Sequence, residues 1–145
     1  MSDAPIAPPP APAHAPGRRT EMIIFGHERL DVYRIAIQFV GVASRINSEL
    51  PNGHSSLAQQ LYRASISISL NIAEGSGEFS KRDKARFYRM ALRSATECAA
   101  ILDVCRELEL SKSEPIQQGR EHLNRIVGML TVMAKSFSGA GAGAR

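Results

Sequence analysis

The chain has 145 residues, 43% of them hydrophobic, and its 18 Lys and Arg outnumber its 14 Asp and Glu for a formal net charge of +4. That length suits one domain with its own core, and no apolar run approaches the roughly 20 residues that a membrane-spanning helix needs. A mildly basic balance is compatible with a polyanionic partner without requiring one, and the absence of a hydrophobic signal region near the N-terminus makes the cytoplasm the expected compartment.

Six of the eight prolines fall within the first 16 residues, interleaved with Ala. Such a stretch has too little large apolar surface to offset the entropy of ordering it, so residues 1–22 read as a disordered tail with polyproline-II character. The folded unit is expected over 23–137, and the Gly- and Ala-rich residues 138–145 form a second flexible tail.

Within 23–137 the spacing predicts a first helix over 28–50. Val32, Ala36, Phe39, Ala43, Ile46 and Leu50 recur at alternating steps of four and three, one face of a helix. Pro51-Asn52-Gly53 ends it. Further apolar residues widen the stripe beyond what one bundle core covers, which points to self-association. Gly41 sits inside this helix at some cost, for which close approach of a neighbouring helix is one reason.

The second helix is expected over 56–74. Ser65-Ile66-Ser67-Ile68-Ser69-Leu70 alternates like a strand, but Leu57, Leu61, Ala64, Ile68 and Ile72 keep helical spacing across the whole segment. A lone strand among helices would have no partner for its edges. Gly75 is then the natural residue to end this helix, in a left-handed conformation that needs no Cβ.

Ser80 can cap a third helix over 81–110, with Asp83 three residues on to answer the exposed N–H groups. Phe87, Ala91, Ser94, Cys98, Ile101, Cys105 and Leu108 mark its apolar face. Arg82, Arg86, Arg89 and Arg93 fall roughly opposite, at about 100° per residue. Ser113 before Glu114-Pro115 starts a fourth helix, which continues through Ile116, Leu123, Ile126, Leu130, Met133 and Phe137 with Gly119 at the skipped position. Four amphipathic helices with short connections make an all-α, up-down-up-down four-helix bundle the economical architecture.

The stretch around the second and third helices also resembles a known family. Arg63-Ala64, Ser67-Ile68, Asn71-Ile72-Ala73-Glu74-Gly75, Phe87, Ala91, Ser94 and Glu97, with Leu30-Asp31-Val32-Tyr33 earlier, look like the signature of the four-helix bundle proteins encoded by intervening sequences within bacterial 23S ribosomal RNA genes. That family is similar to the accessory variability determinant of diversity-generating retroelements. The chain departs from the pattern at Ser69, Glu78 and Arg93, where the family often has Pro, a basic residue and Gly. The resemblance implies a homo-oligomer in the form of a pentameric ring, and a retroelement role would add a reverse transcriptase as partner.

Chemistry for catalysis is sparse in the sequence. His14, His27, His54 and His122 stand at unrelated positions, with no His or Cys at metal-ligand spacing. Cys98 and Cys105 lie two turns apart on one helix face, about 10 Å and too far for a disulfide with each other. Gly75-Ser76-Gly77 lacks the Lys-Ser/Thr of a phosphate loop. The expectation is a non-enzymatic protein without cofactor or metal.

Two groups of polar residues carry the remaining signal. Glu74, in the last turn of its helix, opposes the helix dipole and so needs solvent or a specific partner. With Asn71 one turn earlier, it is expected to lock the connection before the third helix. Arg63 and Glu97 are candidates for an inter-helix ion pair or a subunit contact. The second group is Lys81, Arg82, Lys84, Arg86, Arg89 and Arg93, offset only by Asp83. It reads either as a solvated, salt-bridged face or as a phosphate-binding surface, with Lys81, Arg82, Arg86, Arg89 and Arg93 as the nucleic-acid contacts. RNA or DNA engaged through its backbone is the leading partner, and an acidic protein docked by an adaptor is the alternative.

Overall fold

A computed structural model describes residues 4–10 and 25–139. The tails expected over 1–22 and 138–145 thus fall largely outside the described residues. Residues 4–10 are exposed and carry neither helix nor strand. Four α-helices follow a short 3-10 turn at Gly26–Arg29: α1 (Asp31–Glu49), α2 (Ser55–Gly77), α3 (Lys81–Glu107) and α4 (Ser113–Ser138). No strand occurs among the described residues, and no helix among them is long and apolar enough to cross a membrane.

Each helix packs on its neighbours in the chain, and α1 also packs on α4. The diagonal pairs do not approach, so the four helices surround one core. Phe39 and Ile46 of α1, Leu61, Ile68 and Ile72 of α2, Leu102 of α3, and Ile126 and Leu130 of α4 fill it, all fully buried. The wide stripe of α1 is mostly covered within the chain. Val32, Ile35, Ala36 and Phe39 are buried and only Ile37 among the large apolar residues stays exposed. That removes much of the reason α1 offered for self-association. Gly41 likewise touches no other helix, since a Cβ there would meet nothing within 4 Å.

Local chemistry explains where the helices begin and end. The chain enters α1 three residues later than the spacing suggested, because Glu28 accepts a 2.8 Å hydrogen bond from the Phe25 N–H and closes the 3-10 turn first. In α2 the serine alternation is compatible with helix because Ser65 and Ser69 bond back to the Tyr62 and Ile66 carbonyls at 2.9 Å. Helix α3 ends in a Schellman motif. The N–H of Leu110 reaches the Cys105 carbonyl at 2.9 Å, that of Glu109 reaches Arg106, and Glu109 adopts the left-handed conformation (φ 52°) that usually calls for glycine. Glu49 straps this turn to the end of α1, accepting from the Ser111 hydroxyl at 2.7 Å and the Lys112 N–H at 3.1 Å. These hydrogen bonds hold its carboxyl below the usual range.

The end of α2 differs from expectation. The helix runs through Gly75 to Gly77, and Gly75 is not left-handed; Gly53, in the α1–α2 turn, is the glycine with positive φ among the described residues. What Gly75 supplies is proximity. A Cβ there would lie 2.8 Å from the Tyr88 ring and 3.0 Å from the Phe87 Cβ. Tyr88, buried against this gap and 5.8 Å from the Phe137 ring, takes the core position expected of Phe87. The buried face of α3 is accordingly Tyr88, Ala91, Ala95, Cys98, Leu102 and Cys105, with Ile101 alongside. Leu108 is exposed because the helix has ended, and Leu110 returns to the core after the left-handed residue.

Candidate nucleic-acid interface

The basic half of α3 begins at a reciprocal cap. Asp83 N–H donates to Ser80 Oγ at 3.0 Å, and the Ser80 hydroxyl donates to the Asp83 carboxylate at 2.8 Å. The helix beyond it presents Lys81, Arg82, Arg86, Arg89 and Arg93 to solvent, all exposed. Arg86 reaches Asp83 at 4.0 Å and lies 4.8 Å from the Phe87 ring centre. Lys81, Arg82, Arg89 and Arg93 make no ion pair among the described residues.

From Arg82 to Arg93 the stripe extends about 16 Å along the helix, the axial length of about five phosphates on one nucleic-acid strand. Cations in the first turns of a helix work against its dipole. Their placement therefore costs some helix stability while strengthening the positive field outside.

Lys84, counted with these charges in the sequence, turns the other way. Its Nζ donates to the Ser76 carbonyl at 2.9 Å and the Gly75 carbonyl at 3.3 Å, and it lies 6.0 Å from the Phe137 ring centre. Orphan carbonyls at the end of α2 are thus answered by an ammonium from α3. This is the lock on the α2–α3 connection that the sequence assigned to Glu74 and Asn71.

Glu74 is exposed and makes no ion pair or hydrogen bond among the described residues. Asn71 donates back along its own helix to the Ser67 carbonyl at 2.8 Å and to Ser67 Oγ at 3.0 Å. Ser94 Oγ donates to Ser67 Oγ at 3.0 Å, so these three residues stitch α2 to α3 in mid-helix. Replacing Glu74 by Ala should therefore change stability by no more than about 0.5 kcal/mol. Lys84→Met, which leaves two helix-end carbonyls without their charged donor, should cost about 1 kcal/mol. Urea titrations of the two variants beside the wild type check both values.

Arg63 and Glu97, expected to pair, are exposed and not within ion-pair distance of each other. They share the wall of a shallow groove of about 270 Å³ with Ser67 and Ser94. A second groove of about 370 Å³ adjoins it, where Arg63, Asn71 and Glu74 stand beside Tyr62, Ile66 and Leu70. The polar residues of the resemblance thus collect on one exposed surface of mixed charge, next to the arginine stripe, while Gly75 is buried beneath its end. The sequence did not reveal Tyr62 and Leu70 as exposed apolar residues there, 60% and 59% accessible.

No group of three or more His, Cys, Asp or Glu among the described residues is arranged to hold a metal. Burial, reinforced by the neighbouring Glu97 charge, pushes the Cys98 thiol up to about 12, and burial also raises Cys105. Both thiols stay protonated at neutral pH and are poor nucleophiles.

The family model described as "23S rRNA-intervening sequence protein" matches residues 28–132. No curated protein matches the chain.

Proposed function

The chain belongs to the 23S rRNA-intervening sequence protein family, and from that premise we propose that it is a non-catalytic, self-associating scaffold that grips RNA through the basic face of α3 in the cytoplasm. The observation that carries this reading is the run of five exposed cations, four of them without an ion-pair partner among the described residues. Guanidinium groups suit bidentate contact with phosphate. The stripe offers little for reading bases, since aromatic residues do not alternate with the arginines: Phe87 is half-buried against Arg86, and Tyr88 is buried. Recognition then follows the backbone and shape of the nucleic acid. Self-association would repeat one modest stripe into a larger field.

Gel-shift titration with a structured RNA and a duplex DNA, each across a salt series, tests this. The expected result is binding at low salt whose logarithm falls linearly with log salt, with similar slopes for unrelated sequences. Absence of binding at low salt would favour a second reading, a protein–protein adaptor. The two adjoining grooves along α2 support that alternative: Arg63 and Glu74 stand beside exposed Tyr62 and Leu70 in one, and Arg63 and Glu97 line the other. Acidic side chains there suit a protein partner better than a phosphate backbone.

A further inference from the structure

The connection between α2 and α3 lifts one aromatic side chain entirely clear of the protein. Phe79 is 103% accessible, the most exposed large apolar residue among those described. In the same half of the bundle lies an apolar groove of about 410 Å³ between the start of α1 and residues 128–133 of α4. Leu30, Val32, Met129, Val132 and Met133 line it together with Gly128. Two contacts relate their positions and set the groove inward of Phe79 along the bundle axis. The position for a Gly26 Cβ is 3.5 Å from Ser76 Oγ, and Tyr88 near the start of α3 meets Phe137 near the end of α4.

We propose that Phe79 of one copy inserts into the α1–α4 groove of a second copy, so that the protein assembles head to tail. This rests on the self-association reading above and gives it a contact. The groove is large enough for a phenyl ring, and its two methionines can adapt to one through sulfur–aromatic contacts. Gly128 matters for the fit: a Cβ there would meet nothing within 4 Å, so the missing side chain leaves open space. Charge agrees with the docking. Asp31 lines the groove, held by Arg34 at 3.4 Å, while exposed Lys81 stands two residues beyond Phe79 without an ion pair among the described residues. Knob and groove are different surfaces, so the contact is heterologous and its repetition joins copies head to tail. Arg86, Arg89 and Arg93, farther along α3, stay outside the knob.

Two variants test the contact without threatening the fold. Phe79→Ser removes the knob from an exposed turn, and Gly128→Leu fills the groove from an open position in a helix. Sedimentation of wild-type protein without nucleic acid should show an oligomer, and each variant alone should sediment as a monomer with unchanged helical circular dichroism. Mixed in equal amounts, they should form a one-to-one heterodimer and nothing larger, because one intact knob and one intact groove remain between them. Variants that keep the wild-type mass, or a mixture that stays monomeric, would overturn this contact while leaving self-association standing. A monomeric wild type would overturn both. Gel shifts of the monomeric variants read the α3 stripe of a single copy, where only the gain from repetition is lost.

Discussion

Gly75→Val should lower the stability of the protein by about 3 kcal/mol, the upper part of the range for overpacking a filled core. For a fold of this size that corresponds to a fall of about 10 °C or more in the melting temperature. The reason is the approach of α3. The first carbon of any side chain at this position would stand 2.8 Å from the Tyr88 ring and 3.0 Å from the Phe87 Cβ. The Phe87 Cβ is fixed by its backbone, and the Tyr88 ring is held by burial and by Phe137. Neither can yield as the end of a flexible chain would. Gly119 provides the contrast, since a Cβ there comes closer than 3.5 Å only to the end of one side chain, Leu102 at 2.9 Å, and to no atom fixed by the backbone. Gly41→Ala is a suitable control. It enters open space in an exposed part of α1 and should stabilise by about 0.5–1 kcal/mol through helix propensity alone. Thermal melts of the Gly75→Val and Gly41→Ala variants rank these cases, and a Gly75→Val protein that melts like the wild type would mean that α2 and α3 do not touch there.

The second large effect is on binding. Arg89→Gln combined with Arg93→Gln should weaken RNA association by about tenfold or more at about 0.1 M salt, and the slope of log affinity against log salt should fall by roughly 0.7–0.9 for each phosphate that a subunit no longer neutralises. Binding to unrelated RNA and DNA sequences should weaken about equally, since phosphate contacts carry no base information. Stability should hardly change: both side chains are exposed and without ion pairs among the described residues, and exposed charges contribute little to folding. Unaltered affinity and slope would count against the stripe as the binding face. Loss of the oligomer in this double variant would instead assign the arginines to a subunit contact.

Sequence and structure agree or part according to the range of the interactions involved. The four helices and the Ser80–Asp83 cap were legible because periodicity and capping are local. The bounds of α1 moved where Glu28 closed a turn of its own. Errors gathered where an outcome depends on what another helix does. Gly75 has the composition of a helix stop, yet it is glycine for the sake of Tyr88. Glu74 has the charge to need a partner, yet solvent serves it, and Lys84 from the next helix neutralises the helix end instead. Phe87 and Tyr88 are adjacent aromatics, and only the gap over Gly75 decides which one turns inward. Of the proposed binding surfaces, the α3 cations could be read as a stripe from their spacing. The α1–α4 groove could not, because its walls are about 100 residues apart in the chain.

The closing of α1 against α4 has a consequence for how the protein is made. The α1–α2, α2–α3 and α3–α4 interfaces join neighbours and can form in the order in which the ribosome releases them. The fourth cannot. From Glu107 at the end of α3 to Ser138 at the end of α4 is 31 residues, about 2–6 s of synthesis at typical rates. Through that interval the flank of α1 near Phe39 and Val42, which Gly119 later meets, faces water beside the emerging chain. The partly made protein therefore passes through a three-helix stage with an open apolar side, the stage at which chaperone capture or premature pairing with a neighbouring nascent chain competes with completion of the bundle.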